Sequence, residues 1–230
     1  MNFNDLKLIQ KEFGISGVIH SLKYSFLNKI IFYKELQGMI VTMKTLDKKY
    51  QEGNPKYIHK FLSSEEVKKY SEDPETQLSQ KFLDRALTNG DRCFAILDGE
   101  FLSSYGWYST KPTPINPELK LHFDPSWVYM YKGYTHPRYR GQRLHAIGMA
   151  KALETVTNEG YRELISYVET NNFALLRSVY RMGYVNIDKV RIVKIFGQYH
   201  ISADADCKAY QFTVQVFNQN DHSFNIPAYN

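Results

Sequence analysis

Between residues 15 and 31, apolar side chains recur at Ile15, Val18, Ile19, Leu22, Phe26 and Ile30. Spacings of three and four residues predict a helix with one apolar stripe. That stripe can dock on the rest of the molecule, lie on a membrane or join a partner. Docking is the simplest use, because Lys23 and Lys29 alone supply little positive charge for a membrane surface. Residues 36–44 then read as a strand, as do residues 57–61. Ser63 followed by Glu66 is a capping box, in which hydroxyl and carboxylate satisfy reciprocal backbone donors. Asp73-Pro74 predicts the start of a second helix, with Leu78, Phe82, Leu83, Ala86 and Leu87 turned inward and a stop at Asn89-Gly90.

The pattern then changes to strands. Segments 93–97 and 100–108 flank Asp98-Gly99, a two-residue hairpin turn that needs positive φ. A long segment with Pro112, Pro114, Pro117 and Pro125 follows, readable either as a functional loop or as a rigid surface excursion. Residues 127–135 form an aromatic strand containing Gly133, where a bulge or a close approach to the backbone is expected. Ala146, Met149, Ala150, Leu153 and Val156 make one helical stripe that ends at Glu159-Gly160. Residues 163–168 are a short buried strand. Asn171 or Asn172 caps a further helix, and Gly183 ends it in the left-handed conformation. Residues 190–196 and 209–217 are late strands, the second alternating through Tyr210, Phe212, Val214 and Val216. The order strand, loop, helix, strand, helix, strand, strand indicates an α/β or mixed α+β domain around a central sheet. The tail from residue 218 is polar.

Composition narrows the partners. With 43% apolar residues in 230, the chain belongs to the globular class. Its 18 tyrosines can line wet clefts as well as the core. A net charge of +5 without a long basic block points away from nucleic acid and suits a smaller anionic ligand such as a nucleotide-bearing cofactor. Cys93 and Cys207 fit neither a metal spacing nor a disulfide framework, which implies a reduced, cytoplasmic chain and no metal site. No run of 18 apolar residues and no signal-like start is present, so no membrane association is expected.

The chemistry concentrates in Thr135-His136-Pro137-Arg138-Tyr139-Arg140-Gly141-Gln142-Arg143-Leu144-His145. Here a strand ends and a helix begins within a few residues, so unpaired backbone N–H groups and the helix dipole favour an anion, and three arginines surround the turn. A phosphate site and a ligand-free basic helix entry are both consistent with that pattern. Pro137, Tyr139, Arg140 and Gly141 resemble the lead-in to the acyl-CoA signature of the GNAT superfamily, Arg/Gln-x-x-Gly-x-Gly/Ala, whose two later small positions are Arg143 and His145 in this chain. Glu169-Thr170-Asn171-Asn172, with Val179-Tyr180-Arg181-Met182-Gly183-Tyr184, resembles the family's next segment. The resemblance extends over residues 57–217 and is firmest over 127–184.

The resemblance implies a GNAT-like mixed central sheet flanked by helices, with an N-terminal helical extension over 1–50 packed on the main domain, an acyltransferase domain over 51–217 and a polar tail over 218–230. It implies acetyl-CoA or another acyl-CoA as cosubstrate. Tyr134, Thr135, Arg138, Arg140, Gly141, Gln142, Arg143, Leu144, His145, Asn171 and Asn172 would bind it. An acceptor amine must lose a proton before or during attack, and in similar proteins a helix tyrosine can protonate the leaving thiolate. Glu169 and Tyr180 are the candidates, although alignment on Gly183 places Val179 at the tyrosine position. Tyr105, Trp107, Tyr129 and Tyr131 are expected to border the acceptor, and His136 is a further candidate base. The implied activity is direct transfer of an acyl group to an amine on a small molecule or protein. The alternative is a non-catalytic acyl-CoA-binding regulator. The sequence does not set the oligomeric state.

Overall fold

The computed structural model describes residues 3–217, so the expected polar tail lies outside the described residues. The chain begins with α1 (Phe3–Ile30), broken at Gly14, whose φ of 69° and ψ of −170° are not helical. Strand β1 (Phe32–Val41) follows, then β2 (Ile58–Phe61), α2 (Ser64–Ser71) and α3 (Gln80–Asn89). The remaining elements are β3 (Arg92–Asp98), β4 (Phe101–Ser109), β5 (Thr113–Pro114), β6 (Leu119–His122), β7 (Val128–Thr135), α4 (Leu144–Asn158), β8 (Leu164–Glu169), α5 (Phe173–Met182), β9 (Val185–Ile195), β10 (Gln198–Ala203), α6 (Ala205–Ala209) and β11 (Thr213–Val216).

Eight strands form the main sheet in the order β10-β9-β1-β8-β7-β4-β3-β2. Every neighbouring pair is antiparallel except β7 and β8, which run parallel. The fold is therefore mixed α+β, with an antiparallel-dominated sheet carrying helices. Strand β1 sits inside the sheet, paired with β8 along one edge and β9 along the other. Residues 32–41 are thus a central strand of this sheet.

Local signals explain most element ends. Ser63 and Glu66 form the expected capping box of α2, and Asn172 caps α5 through a hydrogen bond from the Leu175 N–H. Gly90 and Gly183 close α3 and α5 at φ values of 84° and 98°. The helix expected from Asp73-Pro74 is split. Pro74–Thr76 makes a single 3₁₀ turn, Gln77 turns left-handed, and Ser79 caps α3 afresh. The β3–β4 hairpin turns at Gly99-Glu100, one residue later than expected, because Asp98 pairs with Phe101.

The proline-rich segment carries β5 and β6, which join β11 in a second, three-stranded sheet. Its apolar side chains Leu119, Leu121, Phe212 and Val214 pack with Ile165, Val190 and Ile192 of the main sheet. Of the alternating residues expected on one face, Phe212 and Val214 are buried, whereas Val216 is exposed. On the opposite face, α4 and α5 cover Met39, Val128, Leu164 and Val168. α2 and α3 cover Cys93, Tyr105 and Trp107.

The stripe on α1 does not dock. Ile15, Ile19, Leu22, Phe26 and Ile30 are between 50% and 67% exposed. The helix instead lies on the body through Ile9, Gly17, Ser21 and Tyr24, which are buried. Gly17 faces the Phe173 ring, where a Cβ would make ordinary contact at 3.6 Å.

Candidate active site

The site is a consequence of one parallel pairing that stops early. β7 and β8 pair only at Val128–Leu164 and Tyr129–Ile165. Beyond that point β7 stays paired with β4 as far as Thr135, and β8 stays paired with β1 as far as Glu169. Each strand follows its outer neighbour, so the two diverge. At the apex the Ser166 hydroxyl donates to the Met130 carbonyl at 2.8 Å. The opening holds a cavity of about 320 Å³ lined by Met130, Gly133, Thr135, His145, Val179 and Met182, among others. His145 and Met182 also line a second cavity of about 340 Å³, with Lys49, Arg143, Ser178 and Arg181. Tyr131, Tyr167, Val168 and Leu175 are shared in the other direction with a cavity of about 560 Å³ that reaches Tyr129, Glu169, Asn171 and Asn172. Together they make one groove with a cationic end, a narrow middle and an aromatic end.

At the cationic end, α4 starts without a side-chain cap. The N–H groups of its first turn therefore have no partner from the capping residue. Gly141 and Arg143 both adopt positive φ, 83° and 59°, and this aims the turn. The left-handed conformation is natural for glycine and costly for arginine. Arg143 thus stands in the backbone state that a small residue would hold more easily. Arg138, Arg140 and Arg143 make no ion pair among the described residues. The Gln142 side chain accepts from the Tyr57 hydroxyl at 2.7 Å. Leu144 is buried. Lys49, beside Asp47, and Arg181 add charge from distant parts of the sequence. An uncapped helix start with unpaired cations has the chemistry to hold phosphates.

In the middle, His145 packs against Gly133. A Cβ at Gly133 would lie 2.2 Å from the His145 ring carbon Cε1, so glycine is required there by a close approach. The bulge in β7 falls at Tyr131 instead, where the register with β4 skips from Lys132 to Met130. Burial lowers the His145 pKa from its ordinary value, so the ring in the groove is neutral at pH 7.

At the aromatic end, the Tyr129 ring stacks near Tyr131 at 5.7 Å and near Tyr167 at 6.3 Å between centroids. Tyr131 donates to the buried carboxylate of Asp91 at 2.8 Å, and Asn89 donates to the same group. Burial raises the Asp91 pKa, with these hydrogen bonds pulling the other way. Glu169 accepts from Lys34 at 2.5 Å and from the Tyr24 hydroxyl at 3.1 Å. Burial, together with the Glu169 charge, pushes the Tyr24 pKa well above its usual range. Next to it, His20 shares a hydrogen bond with Thr170 at 3.0 Å. α1 and β1 therefore hold Glu169 and Thr170 from behind the residues that line this end.

The expected residues divide accordingly. Tyr134, Thr135, Arg143, His145, Glu169, Asn171 and Asn172 line the groove, and Arg138, Arg140, Gly141 and Gln142 form the loop at its cationic end. Tyr180 is placed elsewhere. It is 41% exposed, and its hydroxyl donates to Asn186 at 3.1 Å, while Val179 occupies the inward position. One residue along a helix is a turn of about 100°, which accounts for the difference. Tyr105 and Trp107 pack under α3 and do not border the groove. His136 is buried, bonded to Glu75 at 3.0 Å and to the Arg138 N–H, and so holds the loop. Lys34, Tyr24, Asp91, Tyr167 and Lys49 gave no local motif, and Arg181 stood in the quoted helix segment without being singled out as a site residue. Tertiary contacts bring them in: α1 and β1 through Glu169, Asp91 through Tyr131, and Lys49 and Arg181 through the second cavity. Among the described residues there is no cluster suited to a metal ion, and no helix is long and apolar enough to cross a membrane.

No curated protein sequence matches the chain. Among solved structures, a GCN5-related N-acetyltransferase from Kribbella flavida is 12% identical with a TM-score of 0.47, over 84% of this chain and 66% of that one. A GCN5-related N-acetyltransferase-like protein from Streptococcus suis is 9% identical with a TM-score of 0.46, over 80% of this chain and 67% of that one. A Drosophila protein is 14% identical with a TM-score of 0.47, and the chain covers only 58% of its length. The model of the acetyltransferase (GNAT) family matches residues 56–184, more than half of the 230 residues and the segment that contains the fork and both flanking motifs. The chain belongs to the GNAT acetyltransferase family.

Proposed function

We propose that this protein transfers an acyl group, acetyl in the simplest case, from acyl-CoA to an amine. The observation that carries the reading is the single groove running from the uncapped start of α4, through the β7–β8 fork, to the tyrosine-lined mouth. In this reading the CoA phosphates lie on the N–H groups of Leu144 and His145, with Arg138, Arg140 and Arg143 around them. The pantetheine arm runs through the fork past Val179, and the side-chain amide of Asn172 lies beside it. The thioester carbonyl accepts from backbone N–H groups near Tyr134 and Thr135, which would stabilise the developing oxyanion. The amine enters between Tyr131 and Tyr167, whose ring faces favour a cationic or flat acceptor. Its nitrogen attacks the carbonyl carbon, the C–S bond breaks, and the amine proton passes towards Glu169 through water. With Val179 inward, no tyrosine of α5 is assigned to protonate the thiolate.

A second reading is favoured by a specific observation. Tyr180 points away, and Glu169 is already held by Lys34 and Tyr24, which suits a protein that binds acyl-CoA without turning it over. One pair of measurements separates the two. Acetyl-CoA, CoA and longer acyl-CoAs are titrated by calorimetry and thermal shift, where ligand at 100 times its Kd adds about 2.7 kcal/mol of stability. Thiol release is then followed with a panel of amines. Binding with release of CoA thiol supports transfer. Binding without release for any amine supports the regulatory reading, and no response to any CoA species overturns both.

A further inference from the structure

We infer that the protein is a homodimer joined through the exposed stripe of α1. Ile15, Ile19, Leu22 and Phe26 lie outward on the segment after the Gly14 break, and none contacts the protein's own body closely enough to be buried. Their spacing is four, three, four, which alternates as the two apolar positions of a heptad do. An apolar strip confined to those positions is a coiled-coil seam, narrower than the face a helix presents to a protein core or a lipid surface.

The amount of surface fits a second copy. With about 200 Å² for a fully exposed large residue, Ile15, Ile19, Leu22 and Phe26, between 50% and 67% exposed, leave roughly 480 Å² uncovered per chain. Two copies face to face would bury roughly 960 Å² from these residues alone, close to the about 1,000 Å² that a specific interface should clear before flanking residues are added. The spacing also selects the geometry. Four, three, four reads the same in both directions, so two antiparallel helices about a two-fold axis match every residue. Ile15 meets the partner's Phe26, and Ile19 meets the partner's Leu22. This is the self-complementary contact that a closed dimer requires. Charge agrees with antiparallel pairing. A parallel pair would set Lys29, the next seam position after Phe26, beside its own copy, whereas the antiparallel pair moves the two copies of Lys29 to opposite ends of the seam. The opposite face of the same helix carries His20 and Tyr24 to Thr170 and Glu169, so the dimer seam backs directly onto the wall of the groove.

Sedimentation equilibrium of the full chain tests this, with circular dichroism to confirm that each variant is folded. The wild type should show twice the 26.9 kDa mass of one chain. Ile19→Glu combined with Phe26→Glu should weaken association by about 100-fold or more, because the seam then buries four carboxylates, each against an apolar residue of the partner. All four positions are on the surface, so the variants retain the domain. Orientation is read by oxidation. Ile15→Cys with Phe26→Cys should give a covalent dimer, while Ile15→Cys alone should not, since its two copies would lie about 16 Å apart along the antiparallel pair. The native Cys93 and Cys207 are buried and do not compete. A monomeric wild type, a dimer indifferent to the glutamate substitutions, or covalent dimer from Ile15→Cys alone overturns the proposal. So does a monomer that sediments with anionic phospholipid vesicles through the same residues, which would assign the stripe to lipid.

Discussion

The two ends of the groove are built on opposite terms. At the α4 end the polar groups are left open: the helix start has no side-chain cap, and Arg138, Arg140 and Arg143 have no carboxylate partner among the described residues. At the tyrosine end the acidic groups are already engaged, Glu169 by Lys34 and Tyr24, and Asp91 by Asn89 and Tyr131. A site left unsatisfied in the protein is one that a ligand completes. A site satisfied within the protein is one that positions a guest by shape and by the few remaining contacts. Affinity should therefore reside at the first end, and acceptor choice at the second.

The largest effect is expected from removing charge at the open end. Arg140→Ala with Arg143→Ala should lower CoA affinity by about 100-fold or more, since hydrogen bonds to charged groups contribute about 1.5–3 kcal/mol each. The melting temperature without ligand should hardly change. Calorimetry with CoA reads the affinity, and an unchanged value would show that this loop is not the phosphate site. Next is Gly133→Val, which acts where the two ends meet. The new side chain collides with the His145 ring, and overpacking of this kind costs about 1–3 kcal/mol. Urea denaturation should show the loss, and Gly133→Val combined with His145→Ala should recover part of it. Failure to recover would mean that His145 is not what makes glycine necessary.

The residues in these first tests were readable from sequence because turns and caps are local. Gly183, Asn172 and the Arg140-Gly141 turn carry their structure within a few residues, and so the helix starts and ends around the fork could be placed. The helix predicted from Ile15 to Ile30 also formed, but periodicity shows only that a stripe exists and not what faces it. Its docking face uses Gly17, Ser21 and Tyr24, which look polar or neutral in sequence and become contacts only through Phe173, Glu169 and the turn at Gly14. β1 was visible as a strand, but its insertion between β8 and β9 depends on pairing across more than 100 residues, which no local pattern encodes. Lys34 and Tyr24 enter the site through that insertion. Lys49 and Arg181 come beside Arg143 by the packing of α5, and single basic residues give no signal of their own.

A pH dependence belongs to the middle of the groove. Burial lowers the pKa of His145, and likewise of His20, His59 and His122. Each then takes a proton more readily in the unfolded chain, near pH 6.5. Because the unfolded state binds more protons there, stability rises with pH up to about 6.5 and levels off above it. Lowering the pH from 7.5 to about 5.5 should destabilise the protein. Asp91 and Glu163, whose pKa values are raised by burial, act with the opposite sign at the acid end of that window. The difference between wild type and His145→Asn isolates the groove. The variant should have the shallower slope, and an identical slope would mean that His145 is not buried neutral. At the closed end, Tyr24→Phe should cost about 1 kcal/mol for the lost hydrogen bond, shift the preference among amines, and leave CoA affinity unchanged. A loss of CoA affinity would erase the distinction between the two ends.

The smallest effect is the one that separates stability from binding most cleanly. Arg143 holds φ of 59° at the capping position of α4, where a non-glycine residue is strained by about 1–2 kcal/mol. Arg143→Gly removes that strain, but glycine gives the unfolded chain more freedom, which takes back about 0.5–1 kcal/mol. The net change should be a gain of a few tenths to 1 kcal/mol, a melting temperature slightly above wild type. CoA affinity should move the other way, because a cation leaves the phosphate end while the backbone turn is kept. If stability and affinity rise together, Arg143 obstructs the site and the remaining arginines hold the phosphates. If both fall, the side chain supports the turn itself, and its left-handed backbone is a built feature of this chain.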